Sequence, residues 1–329
     1  MAVALFVVSG LCSLGASFVL VTRLERLGAR LAAPQAMLGL AVALAADSPE
    51  ISTAVVALQS GQHDIGVGVV LGSNVFNLAA LIGVSAIVAG RIAVHRRVVV
   101  FEGFVAVGVA ILALAAIAGV ITPPLALVLA VALLIPYVAI SALPSERRGQ
   151  LPLPESWRRW LADAVAEEEA ELADAVRAGK GGALDVPVAI LALAVVVAAS
   201  VVLERTASTL GVHWGISSIV VGGIVLAVVT SLPNAVAAVY LASRGRGPAT
   251  LAEALNSNAL NVVAGLLIPT VIVAGAPSLT HADALAALWY AGLTVVVLIL
   301  AFRGRGVGRR EGSLIVALYA AFAVVLATA

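Results

Sequence analysis

Ala46-Asp47-Ser48-Pro49-Glu50, followed by Gly72-Ser73-Asn74-Val75-Phe76-Asn77, is said twice in this chain. The second copy is Thr230-Ser231-Leu232-Pro233-Asn234, followed by Asn256-Ser257-Asn258-Ala259-Leu260-Asn261. The offset is a constant 184 residues: Pro49 falls on Pro233, Ser73 on Ser257 and Asn77 on Asn261. Each copy sets a proline and several polar side chains inside apolar sequence. In a membrane protein that pattern marks an ion or substrate site built from two related halves.

The sequence around the motifs is that of a membrane protein. It is 62% hydrophobic and 11% charged, with a mean hydropathy of +1.13, far from an ordinary soluble domain. A crossing helix needs about 20 mostly apolar residues. Ten segments qualify: 3–22, 34–59, 65–89, 98–118, 123–143, 185–203, 216–243, 251–274, 282–302 and 312–328. Long runs of Ala, Val and Leu predict helices rather than the short alternating strands of a barrel. With both termini outside, all 19 lysines and arginines except Arg205 fall in internal loops, as the positive-inside rule requires. The expected fold is therefore an all-α polytopic membrane protein of ten transmembrane helices, placed in the cell (inner) membrane.

Five spans per half is an odd number, so the two halves must lie in opposite orientations across the membrane, as an inverted-topology repeat. The expected parts are a first repeat at 1–143, a cytoplasmic linker at 144–184 and a second repeat at 185–329. The linker carries Trp157, Trp160 and Leu161 on an amphipathic helix. It is read as covering the inner mouth, with a regulatory cation site in the run Glu167-Glu168-Glu169 as the alternative. No basic region precedes the first span, so that span is kept as mature structure.

Composition also excludes. A net charge of +1 points away from nucleic acid, and the partners expected are small cations and the bilayer. A monomer suffices for such a site. The lone Cys12 excludes an internal disulfide or a cysteine-rich metal site. His63, His95, His213 and His281 fall in or near loops. No nucleophile–base set or phosphate loop is present, so the chain is not expected to be an enzyme or to carry a cofactor.

Within the motifs, Pro49 and Pro233 sit mid-span. Each removes one backbone hydrogen bond, leaving carbonyls for which a cation is a partner. A charge at mid-membrane costs about 2.5–3.5 kcal/mol, which singles out Glu50. Asp47 lies one turn earlier on nearly the same face. Such a pair suits a hard cation, a proton, or competition between them. Ser73 with Asn77, and Ser257 with Asn261, share helix faces at four-residue spacing. Their oxygens suit Na+ or Ca2+; the alternative is hydrogen bonding between helices. Glu253 extends the stripe of Ser257 and Asn261 by one turn, about 12 Å from Asn261. It reads either as a vestibule charge or as a partner of Arg244 or Arg246. Glu102 reads as an interfacial acid paired with an arginine.

These residues resemble the α-repeats of the cation/Ca2+ exchanger superfamily, in particular the prokaryotic type of sodium/calcium exchanger membrane region. Those repeats read approximately G-T-S-x-P-E, then G-S-N-x-x-N or G-S-N-x-x-D. Gly72-Ser73-Asn74-Val75-Phe76-Asn77 matches fully; Ser48-Pro49-Glu50 and Thr230-Ser231-Leu232-Pro233 match in part. The resemblance implies antiport by alternating access, with transported cations (Na+, Ca2+ or H+) as ligands. It places Glu50, Ser73, Asn77, Thr230, Ser231, Asn234, Ser257 and Asn261 at liganding positions. The departures are specific. The second-repeat acid is Asn234, Asn261 stands where Asp is frequent, Asp47 is charged where the family is not, and Asn256 replaces a glycine. The acids of the motifs thus lie in the first copy alone. The expected function is a secondary-active cation antiporter of altered selectivity. A non-transporting membrane scaffold or sensor with a degraded site is the alternative.

Overall fold

The structure is a computed structural model that describes residues 1–31, 35–175, 182–273 and 280–329. It is helical almost throughout. In chain order it comprises α1 (Ala2–Leu31), α2 (Gln35–Ala46), α3 (Ser48–Gln59) and α4 (His63–Ala89). Strand β1 (Arg91–Ala93) precedes α5 (Arg96–Ile117) and α6 (Pro123–Ala142), and α7 (Glu155–Ala175) lies in the linker. The second half holds α8 (Asp185–Trp214), α9 (Ser218–Ser243), α10 (Gly247–Val273), α11 (His281–Gly304), β2 (Gly306–Gly308) and α12 (Arg309–Thr328).

Nine helices among the described residues are long and apolar enough to cross a membrane. The expected segment 34–59 is not one of them, because it is broken. Its halves α2 and α3 are 12 residues each and meet at Asp47 (φ −80°, ψ −2°), with Pro49 opening α3. Pro49 has no N–H to continue the ladder. Elsewhere charge misplaced the ends. The predicted 3–22 runs on through Arg23 and Arg26 to Leu31, and 185–203 runs through Glu204 and Arg205 to a left-handed cap at Gly215 (φ 67°). Hydropathy stopped at those charges; the helices did not. The short antiparallel ribbon of β1 with β2 (Ile92 opposite Val307) was not foreseen.

Sidedness is inverted relative to a soluble protein. Phe18, Leu11, Ile190 and Val324 are each more than three-fifths exposed, whereas Asp47, Glu50, Asn74 and Asn77 are buried. Apolar surface outside and polar groups inside is the arrangement that lipid stabilises. The centre of the bundle is α4, whose most apolar window is 94% buried. It crosses α9 so closely that only glycine fits: a Cβ on Gly72 would lie 2.1 Å from the Gly223 carbonyl oxygen, and one on Gly222 would lie 2.3 Å from that of Ile65. The flanking segments Leu78–Val84, Val221–Leu226 and Asn261–Leu267 are π-helical, a widening of the helix frequent at functional sites.

The linker helix α7 docks on the bundle through Leu161, Ala164 and Val165, which are buried, and through Trp160, whose ring meets Phe101 edge-on at 6.5 Å. Arg97 pairs with Asp163 at the same contact. Trp157 stays exposed. The side chains of the run Glu167-Glu168-Glu169 lie outside the described residues.

Gly72→Ala forces two backbones apart, an overpacking cost of about 1–3 kcal/mol or more. It is expected to lower the melting temperature in detergent by several degrees. Gly15→Ala, at a glycine whose Cβ would meet nothing within 4 Å, is expected to leave it unchanged.

Candidate ion-binding site

The break at Asp47 sets the site. Pro49 frees the carbonyl of Ala45, which accepts hydrogen bonds from the hydroxyls of Ser48 (2.6 Å) and of Ser17 on α1 (3.0 Å). The Pro49 carbonyl accepts from Ser200 of α8 at 3.4 Å. The expectation that a cation takes the freed carbonyl is therefore corrected at Ala45: serine hydroxyls hold the broken helix open. Pro233, by contrast, lies within the continuous helix α9.

The break aims Asp47 and Glu50 at the second copy of the motif. Asp47 Oδ1 accepts from Asn234 Nδ2 at 2.6 Å and from Ser257 Oγ at 2.7 Å. Glu50 Oε1 accepts from Ser231 Oγ and Asn234 Nδ2, both at 3.3 Å. One amide, that of Asn234, thus bridges both acids. Asn77 Nδ2 donates to Ser257 Oγ and to Asn258 Oδ1, each at 3.1 Å. Asn74 and Asn258 donate to one another's backbone carbonyls at 3.1 and 3.0 Å, and Asn261 Nδ2 donates to Asn74 Oδ1 at 3.3 Å. The two copies form one network in which every side chain is at most 2% exposed.

Four acceptor oxygens of this network have no hydrogen-bond donor: Asp47 Oδ2, Glu50 Oε2, Asn77 Oδ1 and Asn261 Oδ1. The amide groups spend their N–H atoms between helices and keep their carbonyl oxygens. Helix-to-helix bonding and cation binding, posed as alternatives, are thus compatible. Among the described residues no cation side chain pairs with Asp47 or Glu50. Two buried carboxylates with only neutral donors repel one another, and a shared cation or proton relieves that repulsion. Among the described residues no three His, Cys, Asp or Glu side chains gather as metal ligands. Any coordination here would mix carboxylate with neutral oxygen, as hard cations accept.

The family of the chain is decided by its match to the sodium/calcium exchanger protein family model over residues 1–144 and 185–328. The chain belongs to that family. This exchanger is similar to CaxA of Alkalimonas amylolytica, with 27% identity over 248 residues, 71% of this chain and 69% of that protein. Its fold matches the H+/Ca2+ exchanger CAX with a TM-score of 0.72 at 14% identity, over 99% of this chain and 85% of the other. It also matches YfkE (TM-score 0.68, 18% identity, 100% and 93%) and the sodium-calcium exchanger NCX_Mj (0.62, 20%, 97% and 96%). The exchanger is accordingly a multi-pass membrane protein of a transporter family rather than an enzyme family.

Not every expected residue of the exchanger joins the network. The hydroxyls of Ser73 and Thr230 are buried but donate to carbonyls of their own helices, Val69 and Leu226. Among the described residues Glu253 forms no ion pair with Arg244 or Arg246; Arg244 lies over the Tyr240 ring at 5.3 Å. Glu102 is buried, accepting the Tyr137 hydroxyl at 2.9 and 3.0 Å. Tyr137 in turn accepts from Asn256 at 2.9 Å, which gives this departure from the family glycine a partner of its own.

Asn74 and Asn258 were missed as site residues, although their 184-residue spacing was visible in the motif. Ser17, Ser200 and the buried Glu204 were also missed; no repeat or motif marks them. Asn258→Ala removes the bonds to the Asn74 carbonyl and from Asn77, leaving buried polar groups unpaired at a cost of about 1–3 kcal/mol each. The variant is expected to melt several degrees lower than the wild type in detergent, whereas Thr328→Ala, at an exposed helix end, is expected to match it.

Proposed function

We propose that this chain is a cation antiporter whose transported ion binds between the two motif copies. Glu50 is its main anionic ligand and Asp47 its second. Asn77 and Asn261 supply carbonyl oxygens, and Ser231, Asn234 and Ser257 hold the acids in place. Ser73 and Thr230 line the same helices and offer their hydroxyl lone pairs. The observation that carries this reading is the set of four donor-free oxygens, two of them carboxylate, in one buried network.

The charge absent at Asn234 does not leave a degraded site, because Asp47 contributes a carboxylate to the same place: its Oδ1 lies 2.6 Å from the Asn234 amide nitrogen. This supports transport over the scaffold reading. Two acids balance one divalent ion, two monovalent ions, or one monovalent ion and a proton, so Na+, Ca2+ and H+ compete for one set of oxygens. Glu253 stands toward one mouth.

The topology of the proposal is ten crossings in two inverted repeats, 1–143 and 185–329, with 144–184 cytoplasmic and both termini outside. Two features support it. Helix ends repeat at the motif offset: His63–Ala89 maps onto Gly247–Val273. Broken α2–α3 also has a counterpart, the full span Ser218–Ser243, and α2 touches the linker helix while α3 leads to α4. Alternating access then moves the remaining helices about this fixed centre.

Purified protein in proteoliposomes, given imposed Na+, K+, Ca2+ and H+ gradients, tests the reading. Exchange between at least two of these ions is expected, falling roughly tenfold or more in Glu50→Gln, the scale of one carboxylate–cation contact in a low dielectric. Equal rates in the two proteins would remove Glu50 from the mechanism.

A further inference from the structure

Glu253 is an acid near the site that the reading above leaves without a role. It lies on α10 one turn before Ser257, so the two share a face. Ser257 donates to Asp47 Oδ1 at 2.7 Å, which brings that face to Asp47. Both acids keep a buried oxygen without a donor, Asp47 Oδ2 and Glu253 Oε2. Asp47 itself is wholly buried, and its free oxygen is not the one held by Asn234 and Ser257. No arginine or lysine pairs with Glu253 among the described residues. Glu253 has no precedent in the repeat: its first-half counterpart at the 184-residue offset is Val69, whose carbonyl takes the Ser73 hydroxyl. In the second half the equivalent serine turns away to Asp47.

We propose that Asp47 and Glu253 form a second cation position, adjoining the Glu50 position and opening toward the linker end of α10. Asp47 is the wall between the two positions. A hard cation leaving Glu50 and the amide oxygens of Asn77 and Asn261 is received by Asp47 Oδ2 and Glu253 Oε2. Two carboxylates with donor-free oxygens suit Na+ or Ca2+. The acid missing from the second motif is thus supplied by the second half one turn outside the motif. This inference rests on the antiporter reading and adds a position to it.

The test is thermal stabilisation of the full chain in detergent, titrated with NaCl and CaCl2 against choline chloride, for wild type, Glu253→Gln, Asp47→Asn and the double variant. Glu253→Gln and Asp47→Asn are each expected to raise the half-maximal cation concentration about tenfold. The double variant is expected to do little more than the worse single one, because both carboxylates act on one ion. A Glu253→Gln titration superimposable on wild type, or a double variant whose effect is the product of the singles, overturns the second position while leaving the antiporter reading in place. A wild type that no cation stabilises overturns the antiporter reading and this one with it. If Glu253→Gln melts below the usable range, Glu253→Asp keeps the charge and draws it back by one methylene. A weakened half-maximal concentration then supports the position, and an unchanged one overturns it.

Discussion

Two carboxylates held inside a bilayer-sized bundle by neutral donors are the constraint on which this structure depends. An ionised acid at mid-membrane costs about 2.5–3.5 kcal/mol, and Asp47 and Glu50 are both buried. What holds them is the opposite repeat: Ser231, Asn234 and Ser257 all donate across the interface. The network leaves one oxygen on each acid without a donor. The site therefore remains short of positive charge until a cation or proton arrives, and that shortage is what a cation carrier needs.

The scaffold makes this arrangement possible by bringing backbones, not side chains, together. α4 and α9 touch at Gly72, Gly222 and Gly223, and at that separation Asn74 and Asn258 reach one another's main chain. The helix break at Asp47 follows from Pro49 and is stabilised by Ser17, Ser48 and Ser200. Ser17 and Ser200 come from the long flanking helices α1 and α8. A movement of that pair would reach the acids directly, since Ser17 and Ser200 bond to residues adjacent to Asp47 and Glu50.

Much of this was legible in the sequence, for identifiable reasons. Hydropathy found nine long apolar helices among the described residues because lipid imposes one composition on them. The repeat found the residues of the buried network because both copies keep proline, serine and asparagine at the same spacing. What remained hidden is pairing. Nothing in the sequence says that Asn234, which replaces an acid, would sit beside an acid from the other copy and bridge it to Glu50. The break of 34–59 into two helices follows from Pro49 once Asp47 is known to turn inward, and direction cannot be read from one strand of letters. Glu102 shows the same: Tyr137 and, through it, Asn256 come from other helices.

Charge in this site is shared across an interface rather than assigned to a residue, and relocating it is the most direct test of that claim. Asp47 Oδ1 and Asn234 Nδ2 lie 2.6 Å apart, so Asp47→Asn combined with Asn234→Asp moves the carboxylate to the other repeat while keeping the total. Cation exchange in proteoliposomes should fall about tenfold in Asp47→Asn alone and return to within a few-fold of wild type in the double variant. A double variant as impaired as Asp47→Asn would contradict the account.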